Sequence, residues 1–124
     1  MTREEFEQLA GAGVILLDGA TGSNLTKAGM PKGVSTELWV LEHPDILANL
    51  QKAYVEAGSQ IVYAPTFGAN RLKLADYGRG YVVAELNARL VDTSEKALAG
   101  TGALIAGDFS TPGKMLQPKG DLSY

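Results

Sequence analysis

Three short apolar runs in this sequence each end at a polar residue that could do chemistry. Asp18-Gly19 follows Val14–Leu17, Thr66 lies just after Ile61–Ala64, and Asp108 lies just after Ala103–Ala106. If the runs are strands of one sheet, these residues share its carboxyl rim, where α/β proteins gather their ligands. A carboxylate there accepts hydrogen bonds from an amino group. A threonine hydroxyl and nearby backbone N–H groups hold a carboxylate. Together they suit an amino-acid ligand. The competing structural reading is that Asp18 and Asp108 cap turns, as aspartates often do. Spacing alone leaves both readings open.

Other constellations are weaker. The chain has no cysteine and a single histidine, His43. That excludes disulfides, thiol nucleophiles and thiolate metal sites within these residues. No carboxylates stand at metal-ligand spacing around the histidine, which sits beside Pro44 and reads as a helix-start residue. Asp18-Gly19-Ala20-Thr21-Gly22-Ser23 follows a strand but is neither G-x-G-x-x-G nor a phosphate-binding loop, because no Gly-Lys-Ser/Thr ends it. Gly100-Thr101-Gly102 precedes an apolar run and reads as a helix stop. Ser23, Ser35 and Ser110 have no histidine base placed by the sequence, so a hydrolase triad lacks support. Trp39 reads as core packing.

The rim needs elements to position it. Thr2-Arg3-Glu4-Glu5 is a capping box, with Phe6, Leu9 and Ala10 on one face of a short helix that Gly11 and Gly13 end. Val14–Leu17 is continuous and apolar, as expected of a parallel strand covered on both faces. A polar, glycine-bearing stretch runs from Gly19 to Gly33. Pro44 opens a helix whose apolar members include Ile46, Leu47, Leu50, Ala53, Tyr54 and Ala57, with Gly58 as its stop. Ile61–Ala64 is a second strand, closed by Pro65. Thr66–Asn70 turns into a helical stretch with Leu72, Leu74 and Tyr77 as its apolar members. Val82–Leu98 is a long amphipathic helix with Val83, Leu86, Leu90 and Ala97 facing inward. Ala103–Ala106 is a third strand. The tail from Phe109 is turn-rich, and Leu122-Ser123-Tyr124 could begin a further helix. Strands alternating with helices argue for an α/β fold with a parallel sheet and crossover helices. Three such strands with two open edges make a poor complete domain.

Bulk properties narrow the function further. The 124 residues suffice for one domain, with 45% hydrophobic and 20% charged residues and a net charge of −3. With no basic block, a nucleic-acid partner is not expected. No run is long enough to span a bilayer, and the acidic N-terminus is no signal peptide, so no membrane partner and a cytoplasmic location are expected.

The rim residues also carry a resemblance. Leu17–Leu25 resembles the D-G-x-x-G-S/T-x-L opening of homocysteine S-methyltransferase domains. Glu37 to Tyr54, with Glu42-His43-Pro44-Asp45 inside it, is similar to the segment leading into that family's first barrel helix. Tyr54–Ser59, running into Pro65-Thr66-Phe67-Gly68-Ala69-Asn70-Arg71, looks like its A-G-A/S…T-F-x-A/S-N/S/T block. Asn87-Ala88-Arg89 fits the next helix. Gly107–Gly113 resembles the third-strand loop of the homocysteine module of cobalamin-dependent methionine synthase, and Arg71–Leu74 favours the same subgroup.

The resemblance implies a (β/α)8 barrel, of which residues 1–124 would be the N-terminal portion with about three parallel strands and their crossover helices, since a complete barrel needs ~250 residues. It implies methyl transfer to the homocysteine thiol to form methionine. In the family, zinc held by three cysteines activates that thiol, and the methyl donor is methylcobalamin, betaine or S-methylmethionine. This chain lacks those cysteines, so the resemblance carries over no metal ligand and no catalytic residue. It carries over substrate contacts. Asp18 and Gly19 match the pair after strand one, Ser35 and Glu37 lie in the following loop, and Thr66 and Asn70 match the strand-two block. Asp108 matches a position where members vary. The implied partners are homocysteine and, through the open strand edges, the rest of the barrel or another copy. Two rivals stand beside this reading. One is a non-catalytic α/β binding or assembly module; the other is a nucleotide-binding half-unit, which the missing G-x-G-x-x-G disfavours.

Overall fold

The computed structural model describes residues 1–123. Its first helix, α1 (Arg3–Gly11), starts at the capping box: Thr2 Oγ1 accepts the Glu5 N–H, and Glu5 Oε2 accepts the Thr2 N–H. Its apolar face is not covered. No residue of α1 is buried, and Phe6 stays exposed.

The polar stretch after Gly19 holds an element the sequence pattern does not announce, α2 (Gly22–Lys27), whose one buried residue is Leu25. A single apolar anchor gives no periodicity to detect. A second unannounced helix, α3 (Thr36–Glu42), is capped by Ser35, whose Oγ accepts the Leu38 N–H. The helix α4 (Pro44–Glu56) begins at its proline as expected. It ends at Gly58, whose φ of 108° places it in the left-handed region that favours glycine.

The strands β1 (Ile61–Tyr63) and β2 (Leu104–Ala106) pair in parallel, with Val62 opposite Ile105. Between them run α5 (Arg71–Ala75), capped by Asn70, and the long α6 (Val83–Leu98). Tyr77, expected among the apolar members of the α5 stretch, lies beyond its end and is exposed.

The expected first strand is corrected. Val14–Leu17 forms no strand; Leu17 alone makes an isolated parallel bridge to Ile61. Two physical reasons are visible. The Leu16 N–H bonds to the side-chain Oε1 of Gln60 instead of a backbone carbonyl, which stops the ladder. Val14, Leu16 and Leu17 are also exposed, so the two-sided cover a continuous apolar strand requires is missing. The sheet therefore has two strands and a bridge, rather than three strands. The tail is corrected too. Leu122 bridges to Leu116 and begins no helix, while Tyr124 lies outside the described residues.

The helices pack mainly on one another. Leu25, Trp39, Val40, Leu47, Leu74, Leu86 and Leu90 form the larger core cluster, and Val62, Ala97 and Leu98 form a smaller one against the sheet. A buried polar stitch joins these layers: Gln51 on α4 donates to Ser94 Oγ on α6 at 2.9 Å and to the Tyr63 carbonyl of β1 at 3.2 Å. No helix among the described residues is long and apolar enough to cross a membrane.

Leu90 is fully buried and Phe6 is 45% exposed. Leu90→Ala should therefore cost about 2–5 kcal/mol in urea unfolding. Phe6→Ala should stay within about 0.5 kcal/mol of the parent.

Candidate functional site

A cleft of about 360 Å³ opens at the carboxyl end of β1. Gly19, Thr21 and Gly22 form one wall, and Thr36 and Glu37 at the start of α3 form the next. Tyr63, Ala64, Pro65 and Phe67 close it from β1 and its loop, and Asp108 reaches it from the loop after β2. The sheet thus brings together all three rim segments that the sequence singled out.

Of the seven expected site residues, Gly19, Glu37 and Asp108 line the cleft itself. Asp18 stands directly beside it, between Leu17 of the bridge and Gly19 of the wall. Its backbone N–H bonds to the Ile61 carbonyl, and its Oδ2 accepts the Tyr63 N–H at 3.1 Å. Its other oxygen, Oδ1, is buried with no hydrogen-bond partner among the described residues. Burial pushes the Asp18 carboxyl above the usual carboxylate range. The two backbone N–H groups, of Tyr63 and of Asp18 itself, pull against that rise, and the Asp108 charge adds to it.

Glu37 is 8% exposed, yet both its oxygens are bonded. Oε1 accepts the Gly68 N–H at 2.7 Å and Oε2 accepts the Ser35 hydroxyl at 2.6 Å. Ser35 is thereby both the cap of α3 and a support for Glu37. Thr66 Oγ1 donates to the Asp108 carbonyl and accepts the Asp108 N–H, at 2.9 and 3.0 Å. Its proton is committed to joining two loops. Asn70 caps α5 through Oδ1, while its Nδ2 is buried without a partner among the described residues.

One residue of this neighbourhood escapes sequence reading. Tyr54 looks like an apolar member of α4, but its hydroxyl donates to the Ala20 carbonyl at 3.0 Å and accepts from Asn24 Nδ2 at 3.1 Å. Asn24 also donates to Ala20. The ring lies so close to Gly19 that an added Cβ would meet the phenol oxygen at 3.0 Å. No local signal reports a contact across 34 positions. Thr21, Gly22, Thr36 and Phe67 are further lining residues that sequence reasoning did not select as site residues.

The residues present do not fit the cysteine-held zinc site that the resemblance implies. The chain has no cysteine. Its one histidine stacks on Trp39, with Nδ1 2.9 Å from the Trp39 carbonyl. No three His, Asp or Glu residues gather at metal-binding distance among the described residues. The cleft lining offers two carboxylates, Asp108 and a fully bonded Glu37, and Asp18 with its unpartnered oxygen stands beside it. That arrangement suits an ammonium group.

Two expectations follow. The folded-state pKa of Asp18 is raised, so between the unfolded value and that raised value the folded chain holds the extra proton. Asp18 burial therefore weakens the fold as pH rises through this window. Asp18→Asn should raise the thermal midpoint at pH 7, and the difference should shrink as pH falls below the window. Gly68→Ala would place Cβ 2.5 Å from Glu37 Oε1 and should cost about 1–3 kcal/mol in denaturant melts.

Comparison with known proteins bears on the family and the fold. The family model described as homocysteine S-methyltransferase matches residues 15–124. The structure resembles that of the homocysteine methyltransferase MmuM from Escherichia coli, metallated form, with a TM-score of 0.68 at 26% identity over 85% of this chain. The oxidized form of MmuM matches 78% of the chain with a TM-score of 0.55 at 23% identity, a likeness of fold alone. The chain spans 41% and 37% of the length of those two structures. The match over residues 15–124, together with the rim motifs and the cleft they build, places this chain in the homocysteine S-methyltransferase family.

Proposed function

We propose that residues 1–124 are the N-terminal portion of a homocysteine S-methyltransferase domain and that they recognise the amino-acid end of homocysteine. The parent protein would be a (β/α)8 barrel that transfers a methyl group to the homocysteine thiol, forming methionine. The observation that carries this reading is Asp18 Oδ1, a buried carboxylate oxygen without a partner among the described residues, beside a cleft lined by a second carboxylate, Asp108. A buried unpaired acceptor costs free energy unless a ligand donor meets it. The substrate ammonium is such a donor.

In this reading Asp18 accepts the ammonium, and Asp108 adds negative potential beside it. Gly19, having no Cβ, leaves room for the Tyr54 ring, which holds the loop from behind. Ser35, Glu37, Thr66 and Asn70 hold the walls in register. The zinc that activates the thiol in this family is held by residues other than those of this chain. Methylcobalamin is the proposed methyl donor, supported by the resemblance of Gly107–Gly113 and Arg71–Leu74 to the methionine synthase subgroup. The proposed location is cytoplasmic.

A second reading is a non-catalytic α/β assembly module. It is favoured by the exposed apolar edge at Val14, Leu16 and Leu17, which could pair with the rest of a barrel or another copy.

Isothermal titration with L-homocysteine separates the two. The first reading expects saturable binding that weakens at least about tenfold in Asp18→Asn, as for loss of a charge-assisted hydrogen bond. Because the ammonium needs the ionised carboxylate, affinity should also fall as pH drops through the raised Asp18 pKa. No binding at millimolar homocysteine, or tight zinc binding by the chain alone, would move the assignment to the assembly reading.

A further inference from the structure

The loop after β2 brings Asp108 to the cleft, yet it has almost nothing to hold it there. No residue from Gly107 to Lys119 is buried, and Phe109 is 94% exposed. Apolar burial therefore does not fix this loop. Hydrogen bonds to the loop after β1 do. Thr66 makes its reciprocal pair with the Asp108 backbone, and the Ser110 N–H donates to the Phe67 carbonyl at 3.1 Å. The remaining tie comes from a side chain that neither the sequence motifs nor the cleft lining assigns to the site. Lys73 on α5 donates from Nζ to Ser110 Oγ at 2.9 Å, and Nζ lies 5.0 Å from the centre of the Phe67 ring. Ser110 Oγ donates its own proton to the Thr111 carbonyl, so it meets the lysine as an acceptor. Among the described residues no carboxylate forms an ion pair with Lys73. Its charge is spent on a hydroxyl of one cleft loop and an aromatic face of the other.

We propose that Lys73 is a positioning residue, which clasps Ser110 to Phe67 and so holds Asp108 at the ammonium end of the cleft. The clasp rests on the amino-acid reading above and extends it to α5, which does not line the main cleft. Its effect should appear in the preference for a ligand that carries the ammonium over one that lacks it. Lys73 is itself a cation, so simple removal of its charge would favour an ammonium ligand. Loss of the clasp works in the opposite direction. Ser110→Ala keeps the lysine charge and removes only its acceptor, and this separates the two effects.

The test is titration of the 124-residue chain with L-homocysteine and with 4-mercaptobutanoate, which is homocysteine without its amino group. The parent chain should prefer homocysteine. Ser110→Ala should lower that preference roughly threefold to tenfold. Lys73→Met should lower it by less, because loss of the lysine charge favours the ammonium ligand. Adding Ser110→Ala to Lys73→Met should lower it no further, because the Lys73–Ser110 contact is already gone. Lys73→Arg should retain most of it. Equal weakening of both ligands would show a general loss of structure and would overturn the positioning role, as would an unchanged preference in Ser110→Ala. Independent, multiplying effects in the double variant would overturn the clasp. A parent chain that shows no preference between the ligands would overturn the amino-acid reading itself, and the clasp with it.

Discussion

A carboxylate taken out of water needs a partner at each oxygen, and Glu37 imposes that requirement on the whole site. It has no cation nearby among the salt bridges of the described residues. Its partners are instead the Gly68 N–H and the Ser35 hydroxyl. The first fixes the loop after β1 against the start of α3. The second fixes where α3 starts, since Ser35 also caps that helix. Residue 68 is then confined to glycine, because any Cβ would collide with the carboxylate. With Gly68 placed, Phe67 and Thr66 are placed too. Through them the loop after β2 gains its hydrogen bonds to Thr66 and Phe67. One buried acid thus orders three segments that are distant in the chain.

Much of the scaffold was legible because it is written locally. The capping box at Thr2, the proline at the start of α4, the glycine at its end and the apolar runs of β1 and β2 each depend on neighbours in sequence. Two kinds of feature were not legible. The short helix α2 presents too few apolar positions to show a period, and α3 carries its apolar residues as one unbroken run, Leu38 to Leu41, which shows no helical period. Val14–Leu17 shows the opposite failure. Its apolar composition fits a buried strand, but a strand is made by its neighbours, and here only Leu17 has one.

The site divides in the same way. The rim positions of Asp18, Thr66 and Asp108 follow from where the apolar runs end, and the structure puts Asp108 in the cleft lining, Asp18 beside it and Thr66 on the Asp108 backbone. Their individual tasks do not follow. Glu37 reaching Gly68 and Tyr54 reaching Ala20 span 31 and 34 positions, and residue type alone does not announce either contact. Thr66 illustrates the difficulty best. Its hydroxyl suits a ligand carboxylate as well as it suits a loop, and the geometry gives its proton to the Asp108 carbonyl.

The two acids of the cleft and Asp18 beside it therefore differ, and the difference lies in what each oxygen already holds. Glu37 is saturated by a backbone N–H and a hydroxyl, so it is a fixture of the wall. Asp108 is held by its backbone, which leaves its carboxylate to act through its charge. Asp18 is half-satisfied: Oδ2 has the Tyr63 N–H and Oδ1 has no partner among the described residues. Burial and the neighbouring charge both disfavour its ionised form in the folded chain. A fold that gained only stability from this position would carry an amide or a satisfied acid there. A cationic donor reverses the balance, since it relieves the open oxygen and opposes the Asp108 charge together. On the proposed reading, the features that disfavour the Asp18 carboxylate are the ones that would make it selective for an ammonium ligand, and a local inconsistency of this kind is what a binding position retains.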